Sequence, residues 1–166
     1  MPTLIATPGA ANANSYATLA EATTYFDERV GGDAWGLGEA EDQERALIMA
    51  TRRLDTLTFV GFTVTDLQAL KWPRRGAFDE SGWQYDPATI PAPVKHATFE
   101  AALVLLGASG DPFADSPLAQ FDRAKVGSLE VDINHGHSPS KVPDAVMRIL
   151  RHVLRSHRLM AQLERS

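Results

Sequence analysis

Apolar positions along the chain fall into helix-spaced runs separated by stretches that cannot be helical. The first run, Leu19, Ala22, Tyr25 and Phe26, repeats at the three- and four-residue spacing of one helix face. Thr18-Leu19-Ala20-Glu21 ahead of it has the form of a capping box, in which the Thr18 hydroxyl and the Glu21 carboxylate each accept the other's backbone N–H. This predicts a helix from residue 18 to about Val30, stopped by Gly31-Gly32. Leu47, Ala50, Leu54 and Leu57 predict a second helix over about Ala40 to Leu57, with Glu41, Asp42 and Glu44 favoured near its positive end. Val94, Ala97, Ala101, Val104 and Leu105 predict a third, broadly apolar helix from Pro93 to Leu106, and proline suits its first turn. A fourth, from Pro143-Asp144 to about Leu163, turns Val146, Ile149, Leu150, Val153, Leu154 and Met160 inward.

Two stretches break the helical pattern. Leu129, Val131 and Ile133 alternate at period two, which predicts a half-buried strand, with a hairpin about Gly127-Ser128 as one way to pair it. Its backbone needs a mate, either within the chain or from a neighbouring subunit. Leu70 to Trp83 gathers Trp72, Phe78 and Trp83 around Pro73, Arg74 and Arg75. Pro73 blocks a helix through this point and biases Trp72 toward extended backbone, so the stretch reads as an ordered crossover between helices. Trp72 and Trp83 are expected to plug it to the core, with Arg74 tying it to carboxylates or carbonyls; Trp35 is expected to be a further plug. The fold class that follows is mainly α: a small bundle of about four helices with a Trp-Pro-Arg crossover loop and one short strand or hairpin. Residues 1–17 read as an extended arm and 18–166 as one domain, with a mobile linker over about 107–124 and a basic C-terminal helix over about 143–163.

Composition changes this picture little; charge placement changes it more. The chain of 166 residues has no cysteine, which removes disulfides, thiolate nucleophiles and cysteine zinc sites. No apolar run approaches the length of a membrane helix, and the first residues lack the pattern of a secretory leader. The net charge is −5, but residues 1–140 carry 10 Lys/Arg against 19 Asp/Glu, while 141–166 carry 6 against 2. An acidic body with a basic end suits docking between like subunits or onto another protein. It suits a generic nucleic-acid binder poorly.

Candidate chemistry is sparse. His135-Gly136-His137 with Asp132 is the one metal-like grouping, short of the ligands a site needs, so no metal or cofactor is expected. Asp79, Glu80 and Asp86 are too close in sequence to face each other across a glycoside. No nucleophile elbow, phosphate loop or dinucleotide fingerprint is present, and no catalytic residue is assigned. Lys71, Arg74 and Arg75 among Trp72, Phe78 and Trp83 have the residue types of a single-strand binder, but the acids that follow weaken the electrostatic funnel. Arg148, Arg151, Arg155 and Arg158 would make one basic stripe on the last helix. That stripe is either a solvated face, a docking surface for an acidic protein or neighbouring subunit, or a DNA contact.

Taken in order, Ala13-Asn14-Ser15-Tyr16, Ala34-Trp35, Glu44 to Thr51, Gln68-Ala69-Leu70-Lys71-Trp72-Pro73-Arg74, Ile90 to Ala97 and Lys125 to Val131 resemble the head–tail connector (adaptor) proteins of tailed phages. Members are often labelled DnaT-like single-stranded DNA-binding proteins. The resemblance spans about residues 12–133 and implies a mostly helical, non-enzymatic subunit. Such subunits assemble, usually as a dodecamer, in a ring beneath the portal at the virion neck. The ring extends the DNA channel and docks stopper or tail-completion proteins. The expected partners are thus copies of itself, the portal, the next neck protein and passing double-stranded DNA, with no membrane, and host cytoplasm as the place of assembly. Arg148, Arg151, Arg155, Arg158, Leu129, Val131 and Ile133 are the expected interface residues, and Trp72, Pro73, Arg74 and Trp83 the structural motif. The alternatives are a single-stranded DNA-binding replication accessory and, third, a small hydrolase with a site near His135.

Overall fold

A computed structural model describes residues 3–107, 123–126, 129–132 and 142–155. Over these the chain is mainly helical. The helices are α1 (Leu19–Asp27), α2 (Asp33–Gly36), α3 (Ala40–Leu54), α4 (Ala92–Gly107) and α5 (Asp144–Leu150). Two antiparallel ribbons accompany them: β1 (Phe62–Thr63) with β2 (Arg74–Arg75), and β3 (Arg123–Val126) with β4 (Leu129–Asp132). The small helical bundle read from the pattern is present.

The capping box at the start of α1 forms as the sequence requires: Thr18 Oγ1 accepts the Glu21 N–H, and the Glu21 carboxylate accepts the Thr18 N–H. After α1 the backbone comes so close to itself that a Cβ on Gly32 would lie 1.8 Å from the Phe26 carbonyl oxygen. Trp35, expected in a loop, sits on the single turn α2, 2% exposed and stacked on Phe26 at 4.9 Å. Helix α4 is the central element, packed against α3 on one side and α5 on the other. Val94, Ala97, Ala101 and Leu105 are buried as its pattern predicts, but Val104 is 40% exposed.

Four boundaries differ from expectation: α1 ends at Asp27 with Glu28 as its cap, short of Val30, and three others follow. Helix α3 ends at Leu54, where Asp55 caps it, so Leu57 follows in a turn. Residues 3–17 double back instead of extending: Ile5 N–H donates to Asn14 Oδ1 at 2.7 Å, Asn14 N–H returns to the Ile5 carbonyl at 2.9 Å, and Ser15, Tyr16 and Ala17 are buried. Helix α5 stops at Leu150, well short of Leu163. There the chain turns so that Val153 O accepts the Val60 N–H, Arg155 N–H reaches Thr58 O, and Leu154 bridges Phe59. Those tertiary hydrogen bonds replace the ones a continued helix would make. The linker expected over about 107–124 falls mostly, and residues 156–166 wholly, outside the described residues.

Candidate interaction site around the Trp-Pro-Arg crossover

The crossover is built from the core outward. Tyr16 and Asp55 form its base: the buried Tyr16 hydroxyl donates to Asp55 Oδ1, which also accepts the Lys71 backbone N–H at 2.8 Å. Burial, then the Asp55 charge and hydrogen bond, raise the Tyr16 pKa well above the ordinary phenol range, so it is a permanent donor here. Trp72 is 1% exposed, edge-on to Phe59 at 5.7 Å and to Tyr85 at 6.2 Å, and joined to Pro73 by a cis peptide bond. The indole N–H groups of Trp72 and Trp35 are buried with no hydrogen-bond partner among the described residues, so both rings serve as apolar plugs.

The cations of this segment donate to backbone carbonyls, Lys71 and Arg74 half-buried and Arg75 exposed. Arg74 donates Nε–H to Val60 O at 2.6 Å, Nη2–H to Gly61 O at 2.6 Å and Nη1–H to Lys71 O at 3.1 Å. Lys71 Nζ donates to Leu57 O at 2.9 Å, and Arg75 Nη2 to Val64 O at 2.5 Å. Burial lowers the Arg74 pKa while the neighbouring Tyr16 and Asp55 oppose that shift; the guanidinium stays charged. Of the two partners expected for Arg74, the structure selects carbonyls. Gly61 makes the β1–β2 approach possible: its φ is +70°, and a Cβ there would sit 2.4 Å from Arg75 O. Gln68 closes the intervening loop, with Oε1 accepting the Val64 N–H and Nε2 donating to Leu70 O.

Trp83 is a correction. Expected as a second plug, it is 76% exposed. Asp79 Oδ1 accepts the N–H groups of Ser81 and Trp83, both at 2.9 Å, and Asp79 N–H donates to Trp83 O. This tight turn leaves the indole outside. Phe78 (49%) on the same crossover, and Phe62 (75%) and Leu67 (75%) ahead of it, are also exposed, a group that helical or strand periodicity does not reveal.

The structure brings one predicted interface residue to this loop. Arg151 Nη2 lies 3.2 Å from Glu80 Oε1, and His152 Nε2 lies 2.6 Å from the same oxygen. Arg148 is on α5, Arg151 caps it and Arg155 follows the bridge to Phe59, so these three do not line one helix face. Arg158 is outside the described residues, as are Ile133, His135 and His137. Leu129 and Val131 lie on β4, whose mate is the chain's own β3. Elsewhere, an open groove of about 400 Å³ runs between α1 and α4, lined by Glu21, Tyr25, Lys95, His96 and Phe99. Lys95 in its wall pairs with Glu21, while Arg29 and the Tyr25 hydroxyl converge on Glu100 nearby. Burial and the Glu100 hydrogen bond leave Tyr25 pushed up to about 12. Among the described residues no cluster of His, Asp and Glu has the makings of a metal site, and no helix is long and apolar enough to cross a membrane.

A family model described as "Putative DnaT-like ssDNA binding protein" matches residues 3–166, and the chain belongs to that family. That description names single-stranded DNA binding and does not mention a phage neck. No curated protein and no solved structure matches the chain.

Proposed function

We propose that the chain is a head–tail connector subunit of a tailed bacteriophage, a non-enzymatic building block of a ring beneath the portal. Double-stranded DNA would pass through the ring, and a stopper or tail-completion protein would dock below it. The observation that carries this reading is the commitment of the half-buried Lys71 and Arg74 to four backbone carbonyls, with Trp72 buried beside them; Arg75 is exposed and donates to a fifth. A single-strand binder needs cations along a groove and aromatic faces open to bases. Here Lys71 and Arg74 are used to fold the loop, and the exposed side chains around it include the apolar Phe62, Leu67 and Trp83. Exposed apolar groups suit contact with protein. The motif order from Ala13 to Val131 points to the same class.

Family membership favours the second reading, a single-stranded DNA-binding accessory, over the connector. Trp83 and Phe62 are its structural support, because exposed rings stack on bases of any sequence. Fluorescence anisotropy with a labelled oligothymidylate at rising salt separates the two. The connector reading expects weak binding at every salt concentration. Tight binding that weakens steeply with salt and is lost in Trp83→Ala would establish the DNA reading instead.

A further inference from the structure

Strands β3 and β4 form a two-stranded sheet, so the outer edge of each has no strand partner among the described residues. Open edges present unpaired backbone groups, and a lone hairpin is marginally stable in water. The register is specific in charge. Arg123 stands opposite Asp132 and Lys125 opposite Glu130, while Ala124 stands opposite Val131 and Val126 opposite Leu129. One strand is thus basic at alternate positions and the other acidic at the positions across from them.

We infer that the open edge of β4 in one copy of this chain takes up the open edge of β3 in the next, in the same antiparallel register as the hairpin itself. This rests on the assembly reading above and names its contact. A second copy is the occupant because the chain supplies the complementary edge. Joining β4 to a neighbour's β3 in this register again sets the basic positions 123 and 125 opposite the acidic positions 132 and 130, with apolar positions opposite apolar ones. Joining β3 to β3, or β4 to β4, with the faces kept aligned sets like charges opposite, which is unfavourable. A one-residue slip avoids that only by moving every side chain to the other face. The contact is therefore head-to-tail. It uses two different edges, leaves one of each free at the ends, and propagates until the rotation closes a ring, whereas a twofold contact would end at a dimer.

The test is a charge-swapped full-length chain carrying Arg123→Glu, Lys125→Glu, Glu130→Lys and Asp132→Lys. Its net charge is unchanged and its own hairpin stays complementary, but its β3 now repels a wild-type β4. Co-expressed with tagged wild type, it should assemble with itself and be captured about tenfold less than untagged wild type. Equal capture would overturn the inference while leaving the assembly reading standing. A wild-type chain that stays monomeric at all concentrations would remove the assembly reading, and this contact with it. Should the swapped chain not fold, two single variants give an independent measurement, since the natural chain has no cysteine. Lys125→Cys and Glu130→Cys chains, mixed and oxidised, should yield an interchain disulfide that neither gives alone, because bridging needs close, facing positions. An assembled mixture without that cross-link, or cross-linking in either variant alone, would rule the contact out.

Discussion

Trp72 and Trp83 lie in one loop and have opposite fates. Trp72 is held under Phe59 and Tyr85 because the Lys71 N–H is anchored on Asp55 and Arg74 straps the following turn to three carbonyls. Trp83 is held out by the Asp79 turn. Truncating Trp72 to Ala should cost about 3–5 kcal/mol in urea unfolding, the range for an aromatic removed from a packed core. Trp72→Phe should cost much less, since it keeps a ring in place and removes a buried N–H that has no partner. Trp83→Ala should stay within about 0.5 kcal/mol of wild type. The burial of Trp72 was legible from Pro73 and the surrounding apolar residues. The exposure of Trp83 was not, because it depends on one carboxylate capping a turn. Asp55 carried no signal at all: its role exists only once the end of α3, the Tyr16 hydroxyl and the Lys71 N–H have met.

Among the elements, starts were more legible than ends. The first turns of α1, α3 and α4 follow from Thr18-x-x-Glu21, from the acids after Glu39 and from the prolines before Val94, all of which are local. The segment just past α5 is held by residues 58–60, about ninety positions away in sequence, which take the Val153 carbonyl and the Arg155 N–H that a continued helix would use. A basic stripe read from helical spacing could not anticipate that. The capping box also does more than start α1, because Glu21 reaches Lys95 on α4. Partial burial pushes the Glu21 carboxyl up, but the Lys95 ammonium and the Thr18 N–H and hydroxyl outweigh it and hold it below its ordinary 4.5. A depressed folded pKa means that this stabilisation is complete above about pH 4.5 and is lost as pH falls through the folded value. Glu21→Gln should flatten the acid limb of stability against pH relative to wild type. An unchanged limb in thermal melts across that range would show that the α1–α4 pair contributes nothing.

At the scale of the whole molecule, the acidic body and basic end meet within one chain: Arg151 and His152 lie against Glu80. The Arg151–Glu80 pair is largely exposed on both sides and so contributes little to stability, in the range of other surface ion pairs. Arg155 is likewise exposed, engaged through its backbone N–H alone in the bonds to Thr58. Both side chains are exposed, so changing their charge should cost the fold little. Arg151→Glu with Arg155→Glu should leave the urea midpoint nearly unchanged and yet reduce self-association or docking. The charge added beside Glu80 and the acidic body repels an incoming acidic surface at distances up to the Debye length, about 10 Å at 0.1 M salt. Sedimentation of wild type and variant at low and high salt measures this. Association lost in the variant at low salt, and weakened in wild type by high salt, assigns the basic end to docking. Association equal in both at every salt concentration would reduce these arginines to solvated surface and leave the strand edges and exposed aromatics to hold the assembly.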